Sequence, residues 1–106
     1  MATIWSSGIG ALARPIERVT GPYARALIEK AGMRDAASQS PLTVFDNACG
    51  TGVVTMELLK MLNPEARQGM KILCGDNSDA MLEFLRQRVE TEGWKEVEVK
   101  FVDAMV

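Results

Sequence analysis

The chain has no histidine among its 106 residues, which excludes imidazole catalysis and histidine-based metal ligation within it. Its two cysteines, Cys49 and Cys74, do not make a zinc site on their own. Both fall at or beside expected strand ends and read as packing thiols against a sheet rather than as a disulfide. No apolar run approaches the roughly 18 residues of a membrane span. A clustered basic excess is missing too: the formal charge is −2, and lysines and arginines alternate with acids along the expected helices. That patterning argues against a nucleic-acid partner. No Lys or Arg precedes the apolar part of residues 1–13, and glycines and serines interrupt it, which speaks against a secretory signal. Arg14, Arg18 and Arg25 leave mitochondrial import as an alternative, with Glu17 against it. The cytoplasm is the default location.

What is present is an ordinary soluble mixture, 47% apolar and 25% charged, in a chain long enough for one small domain. Ile9, Leu12, Ile16 and Val19 recur at helical spacing, with Pro15 as a breaking point. Gly21-Pro22 then opens a second helix carrying Tyr23, Ala24, Leu27, Ile28 and Ala31, which stops at Gly32. Residues 34–41 read as a polar connector. Leu42 to Asp46 is a short apolar strand ending on an acid. The small-residue loop Ala48-Cys49-Gly50-Thr51-Gly52 follows, and then a helix with Val53, Met56, Leu59 and Leu62 on one face. Asn63-Pro64 ends that helix, and residues 65–69 form a loop.

Met70 to Cys74 reads as a second strand, closed by Gly75-Asp76-Asn77. Ser78 and Asp79 supply a cap and a first-turn acid for the next helix. That helix buries Met81, Leu82, Leu85 and Val89, presents the charges of residues 83–92 to solvent, and ends at Gly93. Residues 96–102 alternate as a third strand. Strands alternating with helices define an α/β fold with a parallel sheet. In such sheets ligands bind beyond the carboxyl ends of the strands. Asp46, Asp76 and Asp103 all fall at that edge, with the glycine loop between the first two.

These residues resemble the Rossmann-like S-adenosylmethionine-dependent methyltransferases of small molecules. The segment Val44-Phe45-Asp46-Asn47-Ala48-Cys49-Gly50-Thr51-Gly52 is similar to that family's first motif. Cys74-Gly75-Asp76-Asn77-Ser78-Asp79-Ala80-Met81-Leu82 is similar to the second, and Val102-Asp103-Ala104 to the third. The resemblance implies a Rossmann-like parallel sheet comprising strands one to three of the methyltransferase fold. Residues 1–33 would be N-terminal helices covering the cofactor, and residues 34–106 a partial cofactor-binding βαβαβ unit. It implies S-adenosylmethionine as cofactor and a small-molecule acceptor, while composition and charge argue against a metal, nucleic-acid or membrane partner.

Carried over by motif, Asp46 with Ala48, Gly50, Thr51 and Gly52 would hold the methionine end of the cofactor. Asp76 would accept the ribose hydroxyls, Asn77 would lie against the adenine, and Asp103 with Ala104 would meet its exocyclic amine. Ala48 stands where the family has its first glycine, and Asn77 is more polar than the usual adenine-edge residue. No residue presents itself as a catalytic base. A nicotinamide-dinucleotide enzyme is one alternative, although its Gly-x-Gly-x-x-Gly fingerprint would place Thr55 at the last glycine. A non-catalytic remnant or interaction module is the other. The chain reads as truncated after the third strand, which leaves the first strand as an apolar edge prone to self-association.

Overall fold

The computed structural model describes residues 4–6, 8–47 and 49–103. Ala48 and Ala104, both assigned to the site from sequence, lie outside them. A 3-10 turn at Ile4–Ser6 precedes the long helix α1 (Gly8–Lys30) and the short α2 (Met33–Gln39). The chain then runs β1 (Thr43–Asn47), α3 (Val53–Met61), α4 (Pro64–Arg67), β2 (Lys71–Asp76), α5 (Asp79–Glu92) and β3 (Val97–Phe101). The strands form one parallel sheet in the order β1-β2-β3, the α/β arrangement expected from the alternating pattern.

Register sets the two faces. Val44 lies beside Ile72, and Ile72 beside Val97, while Asp46, Cys74 and Val99 form the next row. This face carries the core, in which Leu58 and Leu59 of α3, Leu85 of α5 and Ile28 of α1 pack with Ile72 and Cys74. The opposite face carries Phe45, Leu73 and Glu98 in one row; Phe45 and Glu98 are exposed and Leu73 is half-buried.

Four local readings are corrected. One helix, not two, spans residues 8–30, running through both Pro15 and Pro22. Its buried stripe is Gly10, Ala13, Glu17, Gly21, Ala24 and Ile28. Small side chains let the helix lie close to α3, and Leu12, Ile16, Val19, Tyr23 and Leu27 consequently face outward. The connector at 34–41 contains α2. The loop at 65–69 begins in α4, for which Asn63 is the N-cap, accepting the Ala66 N–H at 2.8 Å. Finally, Arg88 is not on a solvated face: it is fully buried on the same side of α5 as Leu85. The Ser78 cap and the Gly93 stop of α5 are found where expected.

Candidate cofactor cradle

The loop between β1 and α3 is built from backbone bonds that few sequences allow. Cys49 N–H donates to the Gly75 carbonyl at 3.0 Å, tying the loop to the end of β2. Gly52 N–H turns back onto the Cys49 carbonyl at 2.9 Å. Gly50 (φ 56°) and Gly52 (φ 93°) both adopt left-handed backbone, where a Cβ is strained. A Cβ on Gly52 would also press on Leu85 and Trp94, whereas one on Gly50 would meet nothing within 4 Å. Gly52 is therefore a packing glycine, and Gly50 borders open space.

Asp76 closes the loop from the neighbouring strand. Its Oδ2 accepts the Gly50 N–H and its Oδ1 the Ser78 N–H, each at 3.0 Å. One carboxylate thus joins the glycine loop to the start of α5, and each oxygen keeps a further lone pair for a ligand hydroxyl. Val102 N–H donates to the Asp76 carbonyl at 2.9 Å, which brings the end of β3, with exposed Asp103, alongside. Asn77 is exposed at the same edge.

Asp46 turns inward. Its Oδ2 accepts the Thr55 hydroxyl at 2.9 Å, and Thr55 Oγ1 lies 3.3 Å from Cys74 Sγ. With the single hydroxyl proton directed at Asp46, the Cys74 thiol is the donor to Thr55. Burial raises the Asp46 pKa, opposed by the side-chain and backbone hydrogen bonds of Thr55. Among the described residues no lysine or arginine pairs with it. The Cys49 thiol is held above its ordinary value by its hydrogen bond to Cys74, then by burial and by the carboxylates of Asp46 and Asp76. Both cysteines are buried and free, as packing thiols should be.

Behind the loop lies a buried polar cluster that the sequence reading missed. Glu17 of α1 accepts two bonds from Arg88 of α5, at 2.7 and 2.9 Å. The same Glu17 accepts the Thr51 hydroxyl at 2.7 Å, and Arg88 donates to the Thr51 carbonyl at 2.7 Å. Trp5 and Trp94 flank the guanidinium with ring centroids 4.9 and 5.1 Å away. The available signal was position: Arg88 falls three residues after Leu85, and Glu17 four after Ala13, each within a buried stripe. A cavity of about 640 Å³ opens on this side, with Arg14, Arg18, Lys60, Arg88 and both tryptophans on its walls. None of Asp46, Asp76 and Asp103 lines it.

A parallel sheet with a glycine loop after its first strand and carboxylates at successive strand ends defines a Rossmann-like nucleotide-cofactor fold. More narrowly, the chain belongs to the ubiE/COQ5 methyltransferase family, whose model matches residues 24–106. It is 38% identical over 88 residues to the acetylaranotin bis-thiomethyltransferase of Aspergillus terreus, an alignment covering 83% of this chain and 32% of that protein. With methyltransferase tpcH of Aspergillus fumigatus it shares 37% identity over 82% of this chain and 30% of the relative. The chain thus spans about a third of the length of these relatives. The fold is similar to that of coclaurine N-methyltransferase, solved with N-methylheliamine and S-adenosylhomocysteine, at TM-score 0.63 and 20% identity over 80% of this chain and 22% of that one.

Proposed function

We propose that this chain is the S-adenosylmethionine-binding part of a methyltransferase acting on a small-molecule acceptor. The carrying observation is the convergence of Asp76 on Gly50 and Ser78, which fixes a carboxylate and a glycine loop side by side at the carboxyl edge of a parallel sheet. Family membership supports the same reading, and the dinucleotide enzyme and the inert remnant lose their footing. When bound, S-adenosylmethionine would supply an activated methyl group on a positively charged sulfur.

The residues fit such a ligand. Asp76 retains acceptor capacity for the two ribose hydroxyls. Open space over Gly50 admits an atom against the backbone. Asp46 is a half-buried carboxylate with no cation beside it among the described residues, and an amino group would compensate its desolvation. Gly50, Thr51 and Gly52 would cradle the methionine end, with Asn77 and Asp103 at the adenine. Residues 1–33 would cover the cofactor and residues 34–106 hold it. Three carboxylates, Asp46, Asp76 and Asp103, at one edge of the sheet also favour a cationic cofactor on charge alone. Alignment of the reactants would supply most of the catalytic effect, and the cradle itself would not select the acceptor. Two neighbouring thiols at the loop suit a reducing compartment such as the cytoplasm.

Isothermal titration with S-adenosylmethionine, S-adenosylhomocysteine and NAD tests the reading. The first two should bind and NAD should not; binding of NAD alone would sink the assignment. Asp76→Ala should weaken S-adenosylhomocysteine binding by about 1.5–3 kcal/mol, the value of a hydrogen bond to a charged group. An unchanged affinity would remove Asp76 from the site.

A further inference from the structure

We infer that Glu17 and Arg88 are positioning residues for the cofactor: acting together on Thr51, they set the shape of the glycine loop from behind. The inference rests on the cofactor reading above. Glu17 and Arg88 lie 71 residues apart in sequence and meet because α1 crosses behind the loop. Their side chains are only 6% and 2% exposed. Arg88 Nε is buried without a hydrogen-bond partner among the described residues.

For stability alone such a pair is a poor choice, since two desolvated charges are matched or beaten by apolar residues of the same shape. What apolar residues could not supply is the grip on Thr51. The Arg88 guanidinium takes the Thr51 carbonyl while Glu17 takes its hydroxyl, each at 2.7 Å. In a trans peptide the carbonyl and the following N–H point to opposite sides. Anchoring the Thr51 carbonyl on Arg88 therefore turns the Gly52 N–H away, onto the Cys49 carbonyl at 2.9 Å. That bond closes the turn through Gly50, whose N–H is already committed to Asp76. The two tryptophans fix the guanidinium plane, so the loop is held between Arg88 on one side and Asp76 on the other.

A second ion pair supplies the control. Arg25 and Glu57 join α1 to α3 at 2.9 Å, with the Glu57 side chain only 5% exposed, yet neither bonds to a loop atom among the described residues. Losing that pair should loosen α1 without reshaping the loop. Losing the other should do both.

The test is S-adenosylhomocysteine titration of the intact protein alongside thermal unfolding, at a temperature where each variant is folded. Lysine at 88 has one ammonium for a site that needs a fork, and valine at 51 removes only the hydroxyl. Arg88→Lys and Thr51→Val should each weaken binding by at least about tenfold, the scale of one hydrogen bond to a charged group. Thr51→Ser keeps the hydroxyl and should restore affinity to within about twofold. Arg25→Gln, which leaves the bonds to Thr51 in place, should lower the melting temperature while costing less affinity, for the same loss of stability, than Arg88→Lys or Thr51→Val.

Wild-type affinity in Arg88→Lys and Thr51→Val would overturn the inference and leave the cofactor reading standing. So would an affinity loss in Arg25→Gln as large as theirs at an equal loss of stability. Should Arg88→Lys fail to fold, Thr51→Val with its serine rescue decides the matter. A wild-type protein that binds no S-adenosylhomocysteine would overturn both readings together.

Discussion

The Asp46 carboxylate accepts the Thr55 hydroxyl, yet burial outweighs that bond and lifts its pKa above the ordinary 3.8. The sign of the stability effect follows. The folded chain holds this proton more tightly than the unfolded chain does, so stability falls as pH rises from 3.8 through the folded value. Above that window the cost is constant and present at neutral pH. An amide in place of this carboxylate would keep an acceptor for Thr55 and carry no charge. Asp46→Asn should therefore stabilise the ligand-free protein at pH 7, with the gain shrinking as pH falls towards 4 (about the unperturbed carboxylate range). It should also weaken S-adenosylhomocysteine binding, because the ligand's amino group loses its counter-charge. Urea unfolding at the two pH values checks the first half and titration the second; a variant less stable at pH 7 than at pH 4, relative to wild type, would refute it. On the proposed reading the residue would trade stability for binding, a pattern common at functional sites.

At the scale of elements, α1 shows where local rules lose to packing. Pro15 and Pro22 each remove a hydrogen bond and crowd the carbonyl four residues back, at about 3 kcal/mol apiece. The helix continues because its small-residue face packs on α3 and because Arg25 reaches Glu57. Gly21 marks the close approach, since a Cβ there would come within 3.0 Å of Glu57 Oε1. Pro22 itself is exposed, so Pro22→Ala restores a bond to the Arg18 carbonyl without filling occupied space. The variant should be more stable by about 1–3 kcal/mol in chemical denaturation; no gain would mean that the seating of α1 depends on the proline.

The same element explains what sequence could and could not reveal. The three strands and α5 were legible because apolar runs, the Ser78 cap and the Gly93 stop all agree locally. The carboxylates at the strand ends were legible because strand polarity places them. The face of α1 was not, since Leu12, Ile16 and Leu27 outweigh Ala13 and Ala24 in any hydrophobicity count, while the close packing that selects the small face is tertiary. Arg88 and Glu17 were hidden for a related reason: a buried charge pair looks like solvated charge until its partner, far along the chain, is located.

For the whole molecule, the one-sided layering has a consequence. The main helices pack on the sheet face that carries Ile72 and Cys74, and among the described residues β1 pairs only with β2. Lys71 N–H donates to the Leu42 carbonyl at 2.9 Å. By alternation Val44 turns its backbone towards β2, while Thr43 and Phe45 turn theirs to the open side. Phe45 is also 53% exposed, on the sheet face away from the main helices. An unpaired edge with an apolar side chain is a template for another strand, so the chain on its own should associate through β1. Sedimentation velocity should show a mass that rises with concentration, and Phe45→Lys, which puts a charge on the edge strand, should hold the chain monomeric. The outward row of α1 offers a rival surface, with Tyr23 76% and Leu27 60% exposed. Leu27→Glu discriminates between them. Association abolished by Leu27→Glu and untouched by Phe45→Lys would move the contact to the helix, and a concentration-independent monomer would eliminate both.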